Sequence, residues 1–198
     1  MKHILSTLSA FVLAIVMLTG NVAAQVEPYT LFGTSGYIES IYDTDMAVQI
    51  TSGEDSYGGI DLSMPEETRF EDIKHLSTDY IVITGTCGGG SPRFQISVFD
   101  PITLTEKILF AYIGESHNYT CPSDGWQTSG NVLENGKFID ATQLGSLFYT
   151  SYEEALTYFG KDKVTTIKLV VDSGWMFGTQ SIEVDNIRIN DEVFTFSS

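Results

Sequence analysis

Ser181-Ile182-Glu183-Val184-Asp185-Asn186-Ile187-Arg188-Ile189 alternates apolar and polar residues at both of its ends, but the two halves are out of phase. Side chains of a strand alternate between faces, so a strict strand would turn Ile187 and Ile189 away from the face that Ile182 and Val184 share. One extra residue at Asp185-Asn186 restores a common face. The stretch therefore predicts a bulged strand with one buried side, and the surrounding chain must supply the sheet it lies in.

Working outward, similar short runs recur. Met46, Val48 and Ile50 form one, and Tyr80-Ile81-Val82-Ile83-Thr84 is a continuous β-branched stretch. Phe94, Ile96 and Val98 alternate after Pro92, Lys107 through Ile113 follows, and Val164 through Val171 repeats the pattern. Val193-Phe194-Thr195-Phe196 closes the chain after a turn at Asn190-Asp191. Many short strands separated by turn residues predict an all-β sandwich or barrel. One short helix interrupts them. Ser151 and Glu154 are spaced as a capping box, Tyr152, Ala155, Leu156 and Phe159 share a face, and Gly160 follows. A weaker helical turn is predicted around Glu71-Asp72-Ile73.

Residues 1–24 read as an export signal: Lys2 and His3 precede the apolar run Phe11 to Leu18, and Val22 and Ala24 stand where small residues precede cleavage. That run is well short of the roughly 20 residues a bilayer span needs. No second run of membrane length follows, so the sequence predicts no membrane span in the mature chain, which is read as one domain, 25–198. In the exported chain Cys87 and Cys121 are expected to form a disulfide. Closing that loop would stabilise by about 4 kcal/mol in the chain-entropy picture.

Asp and Glu number 26 against 10 Lys and Arg, a formal charge of −16, and loss of Lys2 with the leader makes it one unit more negative. Such a surface repels phosphate backbones, which argues against nucleic acid as a partner. Charged residues are only 18% of the chain, so this is not the composition of a disordered acidic tail.

The chemistry-bearing motifs are few. His75 and His117 are the only histidines beyond the leader, no Gly-x-Ser-x-Gly elbow accompanies them, and no His-Glu-x-x-His occurs. Asp43, Asp45 and Glu54 match three places of an EF-hand loop, but Val48 occupies the glycine place. A calcium site built from loops remains an expectation, with Asp185 at the bulge as its best ligand candidate. Trp126 and Trp175, read as loop residues, are candidate platforms for the apolar face of a sugar, with Asp172 beside the second. Asn118-Tyr119-Thr120 is a glycosylation sequon.

The closing apolar strand, Asp-Asn pair and second apolar strand resemble the end of galactose-binding-like jelly rolls, including many carbohydrate-binding modules. Leu76 through Tyr80, Cys87 through Phe94 and Val170 through Trp175 are similar to a group of exported microbial proteins. The resemblance implies a jelly-roll β-sandwich without catalytic machinery and transfers no ligand. It leaves two readings and a less favoured third. The first is a secreted, non-enzymatic recognition domain with a glycan as partner. The second is a structural or adhesive surface protein (coat, pilus or matrix component) that binds another extracellular protein. The third, a hydrolase, would need two carboxylates across a cleft.

Overall fold

Alternation becomes structure most plainly in β6 (Arg93–Asp100), where Phe94, Ile96 and Val98 are fully buried and the residues between them point the other way. A computed structural model describes residues 28–42, 45–88, 90–113, 125–134, 136–146 and 148–196. The remaining strands are β1 (Tyr29–Gly33), β2 (Ser35–Glu39), β3 (Met46–Ser52), β4 (Gly58–Leu62), β5 (Leu76–Thr84) and β7 (Thr105–Tyr112). They continue as β8 (Gln127–Thr128), β9 (Ile139–Asp140), β10 (Lys163–Val171), β11 (Gln180–Ile189) and β12 (Glu192–Phe194).

These strands form two antiparallel sheets. The first has six strands in the order β1-β4-β10-β6-β7-β9, and the second runs β2-β3-β11-β5-β8, with β12 added on β11. Number β3, β4, β5, β6, β7, β8, β10 and β11 as eight successive strands. In one sheet the eighth then lies between the first and the third, which is followed by the sixth; in the other the seventh lies between the second and the fourth, which is followed by the fifth. That interleaving is a jelly roll. The core lies between the sheets. Val48, Ile50, Ile182, Val184 and Ile187 face Ile60, Leu62, Phe94, Ile96, Leu109, Ile167 and Leu169, all with no exposed surface. Burial of each such side chain contributes roughly 1.5–3 kcal/mol.

The bulge foreseen in β11 is present. Pairing with β5 slips between Asp185 and Arg188, Asn186 takes a left-handed φ of 48°, and Val184 and Ile187 both reach the core. The strand is continuous through it, from Gln180 to Ile189.

Helix α1 (Tyr152–Phe159) begins where Ser151 Oγ accepts from the Glu154 amide at 3.1 Å. Ala155 is buried, while Tyr152, Leu156 and Phe159 pack on the rim of the core. Gly160 ends the helix in right-handed geometry; a Cβ there would stand 2.6 Å from the Leu156 carbonyl oxygen. The turn around Glu71 is a short 3-10 helix, Phe70–Asp72. A helical turn without a clear sequence signal, α2 (Gly174–Phe177), follows β10. Among the described residues no helix is long and apolar enough to cross a membrane.

Candidate functional site

The outer face of the six-stranded sheet is built by the same alternation that fills the core. Where Ile167, Leu169, Phe94, Ile96, Leu109 and Ala111 point inward, Thr166, Lys168, Gln95, Ser97, Ile108 and Phe110 point outward. Antiparallel pairing aligns them in rows across the strands. One row runs Thr30, Asp61, Lys168, Gln95, Phe110, Asp140 and crosses all six strands. The neighbouring row runs Phe32, Gly59, Val170, Arg93, Tyr112.

A hollow of about 320 Å³ opens on this face. Its lining is Gln95, Ser97, Glu106, Ile108, Gln143, Thr166 and Lys168. Gln143 comes from a 3-10 turn (Thr142–Leu144) that packs against β7. The two carboxamides can each donate and accept, and both charged side chains of the lining already have a polar partner. Lys168 Nζ lies 3.0 Å from Asp61 Oδ2, and Thr166 Oγ1 donates to the other Asp61 oxygen at 2.6 Å. Thr165 Oγ1 donates to Glu106 Oε1 at 2.6 Å. Lys168 also lies 5.4 Å from the centre of the Phe32 ring. That ring rests over Gly59, where a Cβ would come within 2.6 Å of it.

Further along β6 and β7 the face carries aromatic rings and an ion pair. Phe110 and Tyr112 stack with centroids 6.2 Å apart and planes 14° apart. The Arg93 guanidinium sits 5.1 Å above Phe110 and 6.0 Å from Tyr112, a cation–π arrangement. Both its terminal nitrogens donate to Asp172, Nη1 to Oδ1 at 2.7 Å and Nη2 to Oδ2. The Tyr112 hydroxyl donates to Asp140 Oδ2 at 3.1 Å, and Asp140 Oδ1 accepts from the Thr142 amide and hydroxyl. Burial first, then the charge of Asp140 and the hydrogen bond to it, push the Tyr112 hydroxyl well above its ordinary pKa. Gly90, at φ 75°, makes room for the ring: a Cβ there would meet Tyr112 at 2.5 Å.

The residues singled out from sequence are placed differently from one another. Asp172 stands at this face, but both of its oxygens accept from Arg93. Trp126 precedes β8, at the edge of the opposite sheet. It is half-buried, and its Nε1 is buried without an acceptor among the described residues. Trp175 belongs to the helical turn α2, where a loop was expected. The structure thus does not gather Trp126 with Asp172. Cys87 is fully buried in the connection between β5 and β6, and no described cysteine is free. Cys121, His117, Asn118 and the segment 1–24 lie outside the described residues. Asp185 sits at the bulge opposite Asp79, its carbonyl accepting from Thr78 Oγ1 at 3.0 Å. Among the described residues no group of three or more His, Cys, Asp or Glu is arranged to hold a metal. Sequence reasoning missed Gln95, Gln143 and Phe110. The outward positions of β6 and β7 were readable, but which sheet face carries a hollow was not.

No protein-family model matches the sequence, and no curated protein matches it. The structural neighbours are carbohydrate-binding modules of family 11 and related jelly rolls. The chain is similar to the family 11 module of a cellulosomal cellulase of Clostridium thermocellum, with TM-score 0.48 and 14% identity over 84% of this chain and 89% of that one. A family 11 module from Clostridium thermocellum in complex with a β-1,3-1,4-mixed-linked tetrasaccharide gives TM-score 0.43 and 14% identity, over 84% and 91%. An agarase gives TM-score 0.43 and 11% identity, over 87% of this chain and 24% of the enzyme. At such scores the likeness is descriptive, and the jelly-roll assignment rests on the strand order.

Proposed function

We propose that this chain is an exported, non-catalytic carbohydrate-binding domain that holds a glycan on the outer face of the six-stranded sheet. The observation that carries the reading is the hollow itself. Two carboxamides, two hydroxyls, a lysine paired with Asp61 and one carboxylate, Glu106, line it, and Phe110 lies beside Gln95 in the adjacent strand. Sugars present hydroxyls at their edges and C–H groups on their faces, and such a surface answers both. Lys168 is neutralised by Asp61 and Arg93 by Asp172, so neither of these cations calls for an anionic ligand. Among the described residues of the lining Glu106 is the one carboxylate, and it already accepts from Thr165. Hydrolysis by a carboxylate pair would call for a second one across the hollow. Export by the leader 1–24 and a Cys87–Cys121 bridge complete the proposal.

The test is a glycan array on the mature protein, followed by calorimetry of the best ligand against Gln95→Ala, Phe110→Ala and Trp126→Ala. The expected result is selective binding that falls about tenfold or more in the first two variants and is unchanged in the third, since central contacts typically exceed 1 kcal/mol. An array without any selective ligand would sink the reading and favour a structural surface protein. Binding lost only with Trp126→Ala would move the site to the other sheet.

A further inference from the structure

Past the hollow, towards β9, the same face continues as a series of aromatic rings. Tyr112 lies 6.3 Å from Phe148, Phe148 meets Tyr149 at 5.1 Å, and Tyr149 meets Phe138 at 5.8 Å. The last two contacts are edge-to-face, with planes 87° apart. With the Phe110–Tyr112 stack, the rings run from beside Gln95, which lines the hollow, to the sheet edge. Phe138, Phe148 and Tyr149 keep 38%, 43% and 53% of their surface exposed. Exposed apolar rings that lie together and continue into a polar face are the kind of surface on which ligands dock.

The patch is held in place by its backbone. Ile139 and Thr150 exchange two hydrogen bonds, of 2.8 and 3.0 Å, and both residues are buried. Core packing at this edge is therefore met by Ile139 and Thr150. Their neighbours Phe138 and Tyr149 are turned outward, beside Asp140, on a rigid bridge rather than a free loop. Ordering them on binding costs little entropy for that reason.

We infer that the glycan runs from the hollow onto a second, aromatic subsite formed by Phe138, Phe148 and Tyr149, so that the ligand is a chain of several sugars and not a single terminal residue. The inference rests on the carbohydrate-binding reading above. From Lys168 on β10 to Phe138 beside β9 is three strand spacings, about 14 Å at ~4.8 Å each. One sugar ring is too short to bridge that distance. The two regions divide the work by chemistry: carboxamides and hydroxyls fix orientation in the hollow, and the rings add stacking area that is indifferent to individual hydroxyls.

The experiment is a length series, from monosaccharide to hexasaccharide, of the best glycan from the array. It is titrated calorimetrically into the full mature protein and into Tyr149→Ala, Tyr149→Phe and Gln95→Ala, with thermal melts confirming that each variant is folded. Affinity of the unaltered protein is expected to rise with length and then level off. Tyr149→Ala should weaken the long oligosaccharides about tenfold and leave the shortest ligand that binds unchanged, while Tyr149→Phe, which keeps the ring, should behave as the unaltered protein. Gln95→Ala should weaken every length. Affinity independent of length, or a Tyr149→Ala effect equal at all lengths, would overturn the second subsite while leaving the hollow standing. Absence of binding at every length would overturn both.

Discussion

Arg93 on β6 and Asp172, one residue beyond β10, are joined by two parallel hydrogen bonds that tie adjacent strands together at the aromatic end of the sheet face. The Arg93 side chain keeps 14% of its surface and that of Asp172 25%, so the pair is largely shielded from water. The Asp172 amide also donates to Ser91 Oγ at 3.2 Å, which fixes the carboxylate's backbone as well.

Removing one partner leaves the other charge under-solvated. Asp172→Ala should destabilise by about 2 kcal/mol, less than the 3–5 kcal/mol of a fully buried pair because water still reaches this one. The double variant Arg93→Met, Asp172→Leu should lose less than Asp172→Ala alone, since no charge is stranded. Urea unfolding of the single and double variants measures both. Equal losses would mean that the pair contributes only packing.

Tyr152 gives an alkaline signature. Its hydroxyl donates to the Ile73 carbonyl at 2.6 Å, and burial, followed by the charges of Asp72 and Glu71, raises its pKa from 10.0 to about 12. The folded state favours the neutral phenol more than the unfolded state does. The resulting stability is complete below pH 10 and is lost as the pH rises through about 12. Tyr152→Phe should cost about 1 kcal/mol at neutral pH, because the Ile73 carbonyl loses its donor. It should also flatten the stability profile above pH 10. Denaturant midpoints measured from pH 8 to 12 would show this, and a variant profile parallel to that of the unaltered protein would refute it.

The proposed Cys87–Cys121 bridge predicts no alkylatable thiol in the protein as exported. Reduction should lower stability by about 2–4 kcal/mol, since the loop is long and Cys87 is buried in the core. Intact mass after alkylation under non-reducing conditions, followed by melts with and without reductant, decides the matter. Two labelled thiols would remove the bridge.

Much of this architecture was legible before any coordinates. The phase change across Val184 and Ile187 marked a bulge because a strand's two-residue period leaves no other way to bury both. Ser151 marked a helix start because its hydroxyl can serve the free amide of Glu154. Runs such as Phe94, Ile96 and Val98 announced their own buried face. These features are local, and a local pattern suffices to specify them.

The candidate site was not legible, because it is made of rows and not of segments. Lys168, Gln95 and Phe110 are neighbours only through pairing between β10, β6 and β7, and Gln143 arrives from a turn between β9 and helix α1. Trp126 lies at the edge of the other sheet, while smaller rings, spread from Phe110 to Tyr149, assemble on this one. Local pattern specifies the strands, their buried faces, the bulge and the capped helix, because each follows from the period of the backbone or from a side chain beside it. Which outward faces meet is settled in the folded molecule alone, because register and sheet order are set by contacts between residues far apart in the chain.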